Sequence, residues 1–132
     1  MKPNQSNNND QPATVSVPSP QDNPCLGSDP NIAALEVIAD DGISYLLPYA
    51  QFLYAERVSN PALEKEPDAP PEKMRICFAT AEVAVLGSGL VAVKRKLQKY
   101  ELEFVKSAAR NFAATLKTHI TVVTVTLTKE NI

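Results

Sequence analysis

The stretch from Val83 to Phe104 changes its hydrophobic period midway, and this change most constrains the fold. An apolar run ends at Leu86, and from Leu90 onward the apolar residues recur at spacings of 3, 4, 3 and 4, with Lys and Arg on the opposite side. The first pattern is typical of a strand and the second of an amphipathic helix. The chain must therefore place a strand directly before a helix, with Gly87-Ser88-Gly89 as the turn between them.

This turn also carries the spacing of a dinucleotide-binding motif, Gly-x-Gly-x-x-Ala. In such sites the glycines let the backbone approach a pyrophosphate at a helix N-terminus, and an acidic residue about 20 positions later binds the ribose. Here that position falls near Lys106-Ser107, in a basic segment, and only 43 residues follow Gly89. We therefore predict no cofactor, and a backbone turn in which at least one glycine has a positive φ.

Strand patterns on both sides of the turn predict a mostly antiparallel sheet. Asp40-Asp41-Gly42 separates two apolar runs, and Asp-Gly in this position is typical of a hairpin with a type I′ turn. Near the C-terminus Val123, Val125 and Leu127 alternate with threonines, as in a strand with one buried face. The predicted fold class is α+β, a sheet of about four to six strands with one principal helix, from about Leu90, packed on one face.

The sequence leaves the secondary structure of three segments open. Residues 49–58 suit a helix that begins after Pro48 or a bent continuation of the preceding strand, and their aromatic residues favour the strand. Residues 75–86 suit one long bent strand or a hairpin. Residues 101–117 either continue the helix or contain a short strand.

Composition divides the chain near residue 31. Residues 1–31 contain six Pro and six Asn, no aromatic residue and only scattered aliphatic ones, which is too little apolar surface to offset the entropy of ordering. We predict a disordered tail over residues 1–31 and a single small domain over residues 32–132. Within the domain, residues 59–74 hold four Pro and many charges, which predicts an exposed loop.

Charge is divided along the domain as well. Residues 32–93 contain four basic and nine acidic residues, a net of −5, whereas residues 94–117 contain seven basic and two acidic residues, a net of +5. Such asymmetry can steer a partner, or it can be satisfied internally or between copies. The basic patch consists of Lys94, Arg95, Lys96 and Lys99. It could contact nucleic acid, with Tyr100 as a stacking ring, although the helical spacing makes these charges a solvated face by default.

Residues able to carry catalysis or bind a metal are few. His119 is the only histidine, Cys25 lies in the predicted tail and Cys77 is remote in sequence, so His and Cys cannot assemble an ordinary zinc site. Cys77 and His119 would be the candidate nucleophile and base, but a buried reduced thiol and a polar strand-end residue explain them as well. Asp40 and Asp41 are explained by the turn. We therefore predict neither catalytic nor metal-binding residues.

Two segments resemble a known group of proteins. Ala39–Glu56, ADDGISYLLPYAQFLYAE, is followed after the Pro-rich loop by Phe78–Leu90, FATAEVAVLGSGL. Together they resemble short uncharacterised bacterial proteins that share Asp-Gly, Leu-Pro-Tyr and Gly-x-Gly-Leu. The resemblance covers about half of the chain, implies a small stand-alone domain of unknown function and transfers no functional residue.

These observations favour a non-enzymatic protein-interaction or homo-oligomerisation module, in which the edge of the Val/Thr strand could pair with another copy. A nucleic-acid-binding regulator that uses the basic patch is the alternative, and a small enzyme with a pocket near Cys77 or His119 is the second alternative. The start of the chain lacks the pattern of a secretory signal, and no apolar run approaches the roughly 20 residues of a membrane span. We expect a cytoplasmic protein without membrane contact.

Overall fold

Two four-stranded sheets enclose one hydrophobic core. The computed structural model describes residues 23–109 and 117–128. Its strands are β1 Leu26–Ser28, β2 Ala34–Ile38, β3 Ser44–Pro48, β4 Phe52–Ser59, β5 Glu72–Phe78, β6 Ala81–Ser88, β7 Leu102–Lys106 and β8 His119–Leu127, and its helix is α1 Val91–Gln98. Short 3₁₀ helices span Tyr49–Gln51 and Pro61–Glu64.

The strand order is β1-β7-β2-β3 in the first sheet and β4-β5-β6-β8 in the second. The neighbouring strands are antiparallel except β2 and β7, which are parallel. The predicted α+β class is confirmed, but the described residues form eight strands in two sheets rather than four to six in one. The reason is the 3₁₀ helix Tyr49–Gln51, at which the chain turns a corner and leaves the first sheet for the second.

The core lies between the two sheets and receives one face of the helix. Leu35 and Val37 come from the first sheet and Ile76 and Val83 from the second, and all four are fully buried. Helix α1 adds its own apolar residues Leu97 and Val93 to the same cluster. The amphipathic pattern that predicted the helix thus corresponds to its buried face.

The hairpin predicted at Asp40-Asp41-Gly42 is confirmed, but its turn is of another type. β2 and β3 pair from Ala34 opposite Pro48 to Ile38 opposite Ser44. Gly42 has φ +90°, and Asp41 is not among the described residues with a positive φ. The loop therefore contains three residues, closed by a bond from the Ala39 amide to the Ile43 carbonyl at 2.9 Å. A type I′ turn would need two positive φ angles, whereas this loop needs one, which the glycine supplies.

The alternatives left open at residues 49–58 and 75–86 are resolved. The first segment ends in β4, as the aromatic residues indicated, after the short 3₁₀ helix. The second is a hairpin, in which β5 and β6 pair with Cys77 opposite Glu82.

Helix α1 ends at a left-handed residue that is not glycine. Tyr100 has φ +55°, and its amide donates to the Leu97 carbonyl at 3.0 Å. The Glu101 amide donates to the Lys96 carbonyl at 2.9 Å, which completes a Schellman motif. Because a tyrosine occupies the usual glycine position, the sequence carries no stop signal here. The short strand among residues 101–117 is β7, and residues 110–116 lie outside the described part.

The predicted tail is wrong for residues 23–31. Cys25 is fully buried and Leu26 is 7% exposed, and β1 pairs with β7 in the first sheet. The Lys106 amide donates to the Cys25 carbonyl at 2.8 Å. A three-residue strand is held here by a partner distant in sequence, which local composition cannot reveal. Residues 1–22 lie outside the described part of the chain.

The predicted loop over residues 59–74 is too long at both ends. Ser59 belongs to β4 and β5 begins at Glu72, so the connection covers residues 60–71. Met74, assigned to the loop, is fully buried because alternate residues of β5 face the core. Asn60 is also buried and closes the loop, since its side-chain amide donates to the Pro70 carbonyl at 2.8 Å.

Candidate functional site

The positive φ predicted for a glycine of the turn is confirmed at Gly89. Gly89 has φ +66°, and a Cβ there would overlap the Lys117 carbonyl oxygen. A Cβ at Gly87 would overlap the His119 carbonyl oxygen. The amides of Gly89 and Leu90, which immediately precede the helix, both donate to the carboxylate of Glu72. The chain therefore supplies its own anion at the place where a phosphate would be bound in a dinucleotide site.

Cys77 and His119 do not form a pair. Along β6, Cys77 lies opposite Glu82 and His119 opposite Ser88, a separation of roughly 20 Å at about 3.3 Å per residue. The His119 ring is buried, and its Nε2 lies 3.1 Å from the Ala108 carbonyl oxygen. The strand-end histidine is thus a packed residue rather than an exposed one. The described ranges contain no group of His, Cys, Asp and Glu that could hold a metal ion.

The basic patch is only partly gathered into one surface. Arg95, Lys96 and Lys99 line a shallow cleft of about 260 Å³ beside α1. Lys94 does not line it, whereas the acidic residue Glu101 does. Within residues 23–109 and 117–128 no salt bridge involves these cations.

The edge of the Val/Thr strand, β8, is less open than its sequence suggests. One side pairs with β6. On the other side the Asp40 amide donates to the Val123 carbonyl at 2.9 Å, and the Ala108 amide donates to the Ile120 carbonyl at 3.0 Å. The first sheet therefore covers part of this edge, and β8 is a poor site for pairing with another copy.

The open edge belongs to β4 instead. In the described part of the chain β4 pairs only with β5, and it extends over eight residues without proline. Leu53, Tyr54 and Val58 on this strand are 62%, 48% and 47% exposed. The other edge strands are blunted: β1 has three residues, β3 ends at Pro48 and β8 is partly covered. A long edge without such protection is a template for strand pairing.

The backbone groups that face this open edge can be assigned. The Asn60 amide donates to the Pro71 carbonyl at 3.0 Å, so Asn60 faces β5. Because the direction of the backbone groups alternates in an antiparallel strand, Glu56 and Val58 also face β5, whereas Ala55 and Arg57 face outward. The register irregularity between Phe52 and Tyr54 interrupts this alternation at the start of the strand.

A guanidinium group links three strands on the outer face of the second sheet. Arg75 of β5 forms ion pairs with Glu56 of β4 and with Glu82 of β6, where Nε lies 3.2 Å from the carboxylate. Hydrogen bonds to these carboxylates raise the pKa of Arg75, and the same contact lowers the pKa of Glu82. A hydrogen bond with the Cys77 thiol raises the pKa of Tyr54. These contacts fix the position of β4 and leave its outer edge open.

The sequence favoured a strand at β4 but did not indicate that it is an edge. Its aromatic and aliphatic residues indicated an extended conformation, whereas its neighbours depend on the order of strands in the sheet. Comparison with protein-family models, with curated proteins and with solved structures finds no match to this chain. In the described residues no helix has the length and apolar character needed to cross a membrane.

Proposed function

We propose that this protein is a non-enzymatic interaction module that self-associates by pairing the open edge of β4 with a strand of a second copy. The observation that carries the proposal is the contrast between β4 and the other edges, since β4 alone among the described edge strands is long, free of proline and rich in exposed apolar side chains. Strand addition would satisfy the outward backbone groups of Ala55 and Arg57 and cover Leu53 and Val58.

The proposal extends to the compartment. Cys25 and Cys77 are both free and buried, which suits a reducing cytoplasm.

The test is the association state of the full chain over a wide concentration range, by sedimentation velocity and light scattering. Val58→Lys places a charge on the open edge and is expected to weaken association. Leu46→Lys is the matched control, because Leu46 is 70% exposed on β3 and lies outside the proposed interface.

A backbone variant makes the test specific for strand pairing. Ala55→Pro removes an outward amide without removing a bond to β5, and is expected to abolish association. Thermal unfolding establishes that the variant is folded, and Val58→Lys takes its place if it is not. A wild-type chain that stays monomeric throughout, or association that survives Ala55→Pro, would refute the proposal.

Nucleic-acid binding through the basic patch is the second candidate, and one observation favours it. Arg95 and Lys99 are four residues apart and Lys96 and Lys99 three, so the helix carries like-charge pairs that cost a few tenths of a kcal/mol each. All three cations line one cleft, where a polyanion would relieve this repulsion. Their attraction to the C-terminal end of the helix dipole is the competing explanation.

The second candidate is tested by titrating a labelled DNA duplex at several salt concentrations. If three phosphates are neutralised, log affinity is expected to fall with log salt at a slope of about −3. Replacing Arg95, Lys96 and Lys99 by Gln should abolish binding, whereas Lys65→Gln on the loop should not. No binding at low salt removes this candidate.

A further inference from the structure

We infer that two copies pair β4 with β4 in antiparallel orientation, about a two-fold axis that passes between the two Ala55 residues. The inference rests on the proposed function, because it specifies the arrangement of the second copy. It makes the assembly a closed dimer in which the second sheets of the two copies join into one continuous sheet.

The geometry of the edge limits the possible arrangements. Two identical strands that pair side by side in antiparallel orientation are related by a two-fold axis perpendicular to the sheet. In such a pair the axis passes between one residue and its own copy, and residues directly opposite each other point to the same face. Each register is therefore named by the residue on the axis, and β4 offers the choices from Tyr54 to Val58.

Charge excludes two of these registers. An axis at Glu56 would place the two Glu56 side chains directly opposite each other, and an axis at Arg57 would do the same for the arginines. Directly opposite residues lie about 4.5–5.5 Å apart, and like charges at that position are destabilising.

Two more registers are excluded, one because the two strands would overlap over too few residues and the other because the backbone of β4 is irregular there. An axis at Val58 pairs only residues 57–59 within β4, because the strand ends at Ser59 and the 3₁₀ helix that begins at Pro61 follows. An axis at Tyr54 places the irregularity between Phe52 and Tyr54 at the centre of the contact, where pairing needs a regular backbone.

The register with Ala55 on the axis has none of these faults. The outward amide and carbonyl of Ala55 meet those of its copy, so the two residues form a hydrogen-bonded pair. On the outer face Tyr54 lies opposite Glu56 of the second copy, and this pair occurs twice. Glu56 keeps its ion pair with Arg75 of its own copy, so each Tyr54 ring meets a carboxylate whose position that ion pair holds.

Closure follows from the symmetry. Each copy uses the one unprotected edge among its described strands, and the far edge of the joined sheet is β8, which the first sheet partly covers. A two-fold contact of one edge with itself leaves no equivalent edge for a third copy. The expected assembly is a dimer and not a filament.

Opposite charges at residue 54 test the register. With Ala55 on the axis, Tyr54→Lys places a lysine opposite Glu56 of the second copy and is expected to tighten the dimer relative to Tyr54→Glu, which places two carboxylates together. The pair occurs twice in the dimer. Relative to its Leu46 control, Tyr54→Lys should therefore lower the dissociation constant of the dimer and Tyr54→Glu should raise it, each by about two- to thirty-fold. The difference should shrink at high salt. Leu46→Lys and Leu46→Glu, on β3, correct for the change in net charge.

The outcomes separate the register from the proposed function. If both substitutions at Tyr54 weaken the dimer, like charges meet at this position and Tyr54 itself lies on the axis. If neither substitution differs from its Leu46 control, Tyr54 is not opposite Glu56 and the axis is at Glu56 or beyond. Either result overturns the proposed register. If the wild-type chain associates and Ala55→Pro does not, the proposed function still stands. A monomeric wild-type chain overturns both.

Discussion

The carboxylate of Glu72 accepts hydrogen bonds from two consecutive amides, those of Gly89 at 3.1 Å and Leu90 at 3.0 Å. These amides immediately precede helix α1, whose N-cap residue Leu90 makes no side-chain capping bond. Glu72 stands at the start of β5 and also pairs with Arg57 of β4 at 3.3 Å. A single carboxylate thus connects the open-edge strand, its neighbour and the positive end of the helix dipole.

Removing this carboxylate should destabilise the domain. Glu72→Ala leaves two amides at the helix start without their acceptor and is expected to lower the free energy of unfolding by about 1–2 kcal/mol. The measurement is urea unfolding followed by circular dichroism. Arg57→Ala removes only the ion pair and should cost less, because both side chains are partly exposed. An equal loss in the two variants would show that the ion pair, not the cap, is responsible.

The glycines should differ in their tolerance of alanine. Gly42 has a positive φ but open space around its Cβ position, so Gly42→Ala should cost only the backbone strain, about 1 kcal/mol. Gly89→Ala adds an overlap with the Lys117 carbonyl and should cost clearly more. Gly87 does not have a positive φ, but the Cβ of an alanine at this position would overlap the His119 carbonyl oxygen. Thermal unfolding ranks the three variants, and equal losses would contradict the part assigned to the backbone contacts.

The sequence predicted those parts of the fold in which local pattern and final packing agree. The period change at Leu90 located the helix, and Asp41-Gly42 located a hairpin, because both signals reflect backbone conformation over a few residues. Tyr100 shows the limit, since its left-handed conformation is held by the Schellman hydrogen bonds and not by its residue type.

The candidate site could not be predicted in the same way. Whether a strand is an edge depends on pairings between residues far apart in sequence, such as Glu56 with Arg75 and Ala84 with Thr124. The alternation of valine and threonine drew attention to β8, whose second side the first sheet partly covers. Neither the covered side of β8 nor the open side of β4 leaves a signal in the sequence of the strand itself.

The segment around β1 should contribute to stability. Leu26 is 7% exposed and Ser28, two residues later, is exposed. Leu26→Asp buries a carboxylate without a partner and is expected to cost about 3 kcal/mol or more, whereas Ser28→Asp should have little effect. Denaturant unfolding of the full chain compares the two. If residues 23–31 contributed nothing, both variants would match the wild type.

The alkaline stability of the domain should depend on Tyr49. Its ring packs against Phe52, Phe78 and Tyr100, with a centroid distance of 5.3 Å to Tyr100, and its hydroxyl donates to the Leu102 carbonyl at 2.7 Å. Burial raises the pKa of Tyr49 from 10.0 to about 12. The phenol is therefore protonated in both states below pH 10, and above it the unfolded chain ionises first.

The contribution of Tyr49 to stability is thus fully present below pH 10 and is lost as the pH rises from 10 toward about 12. Tyr49→Phe should lower the stability at pH 9 by about 1 kcal/mol, because the Leu102 carbonyl loses its donor. The same variant should lose less stability than the wild type between pH 10 and 12, since it has no phenol to ionise at this position. Urea unfolding at intervals of pH compares the two proteins, and the range from pH 7 to 9, where their curves should run parallel, is the internal control. Parallel curves through the alkaline range as well would show that the burial of this hydroxyl does not govern the alkaline transition.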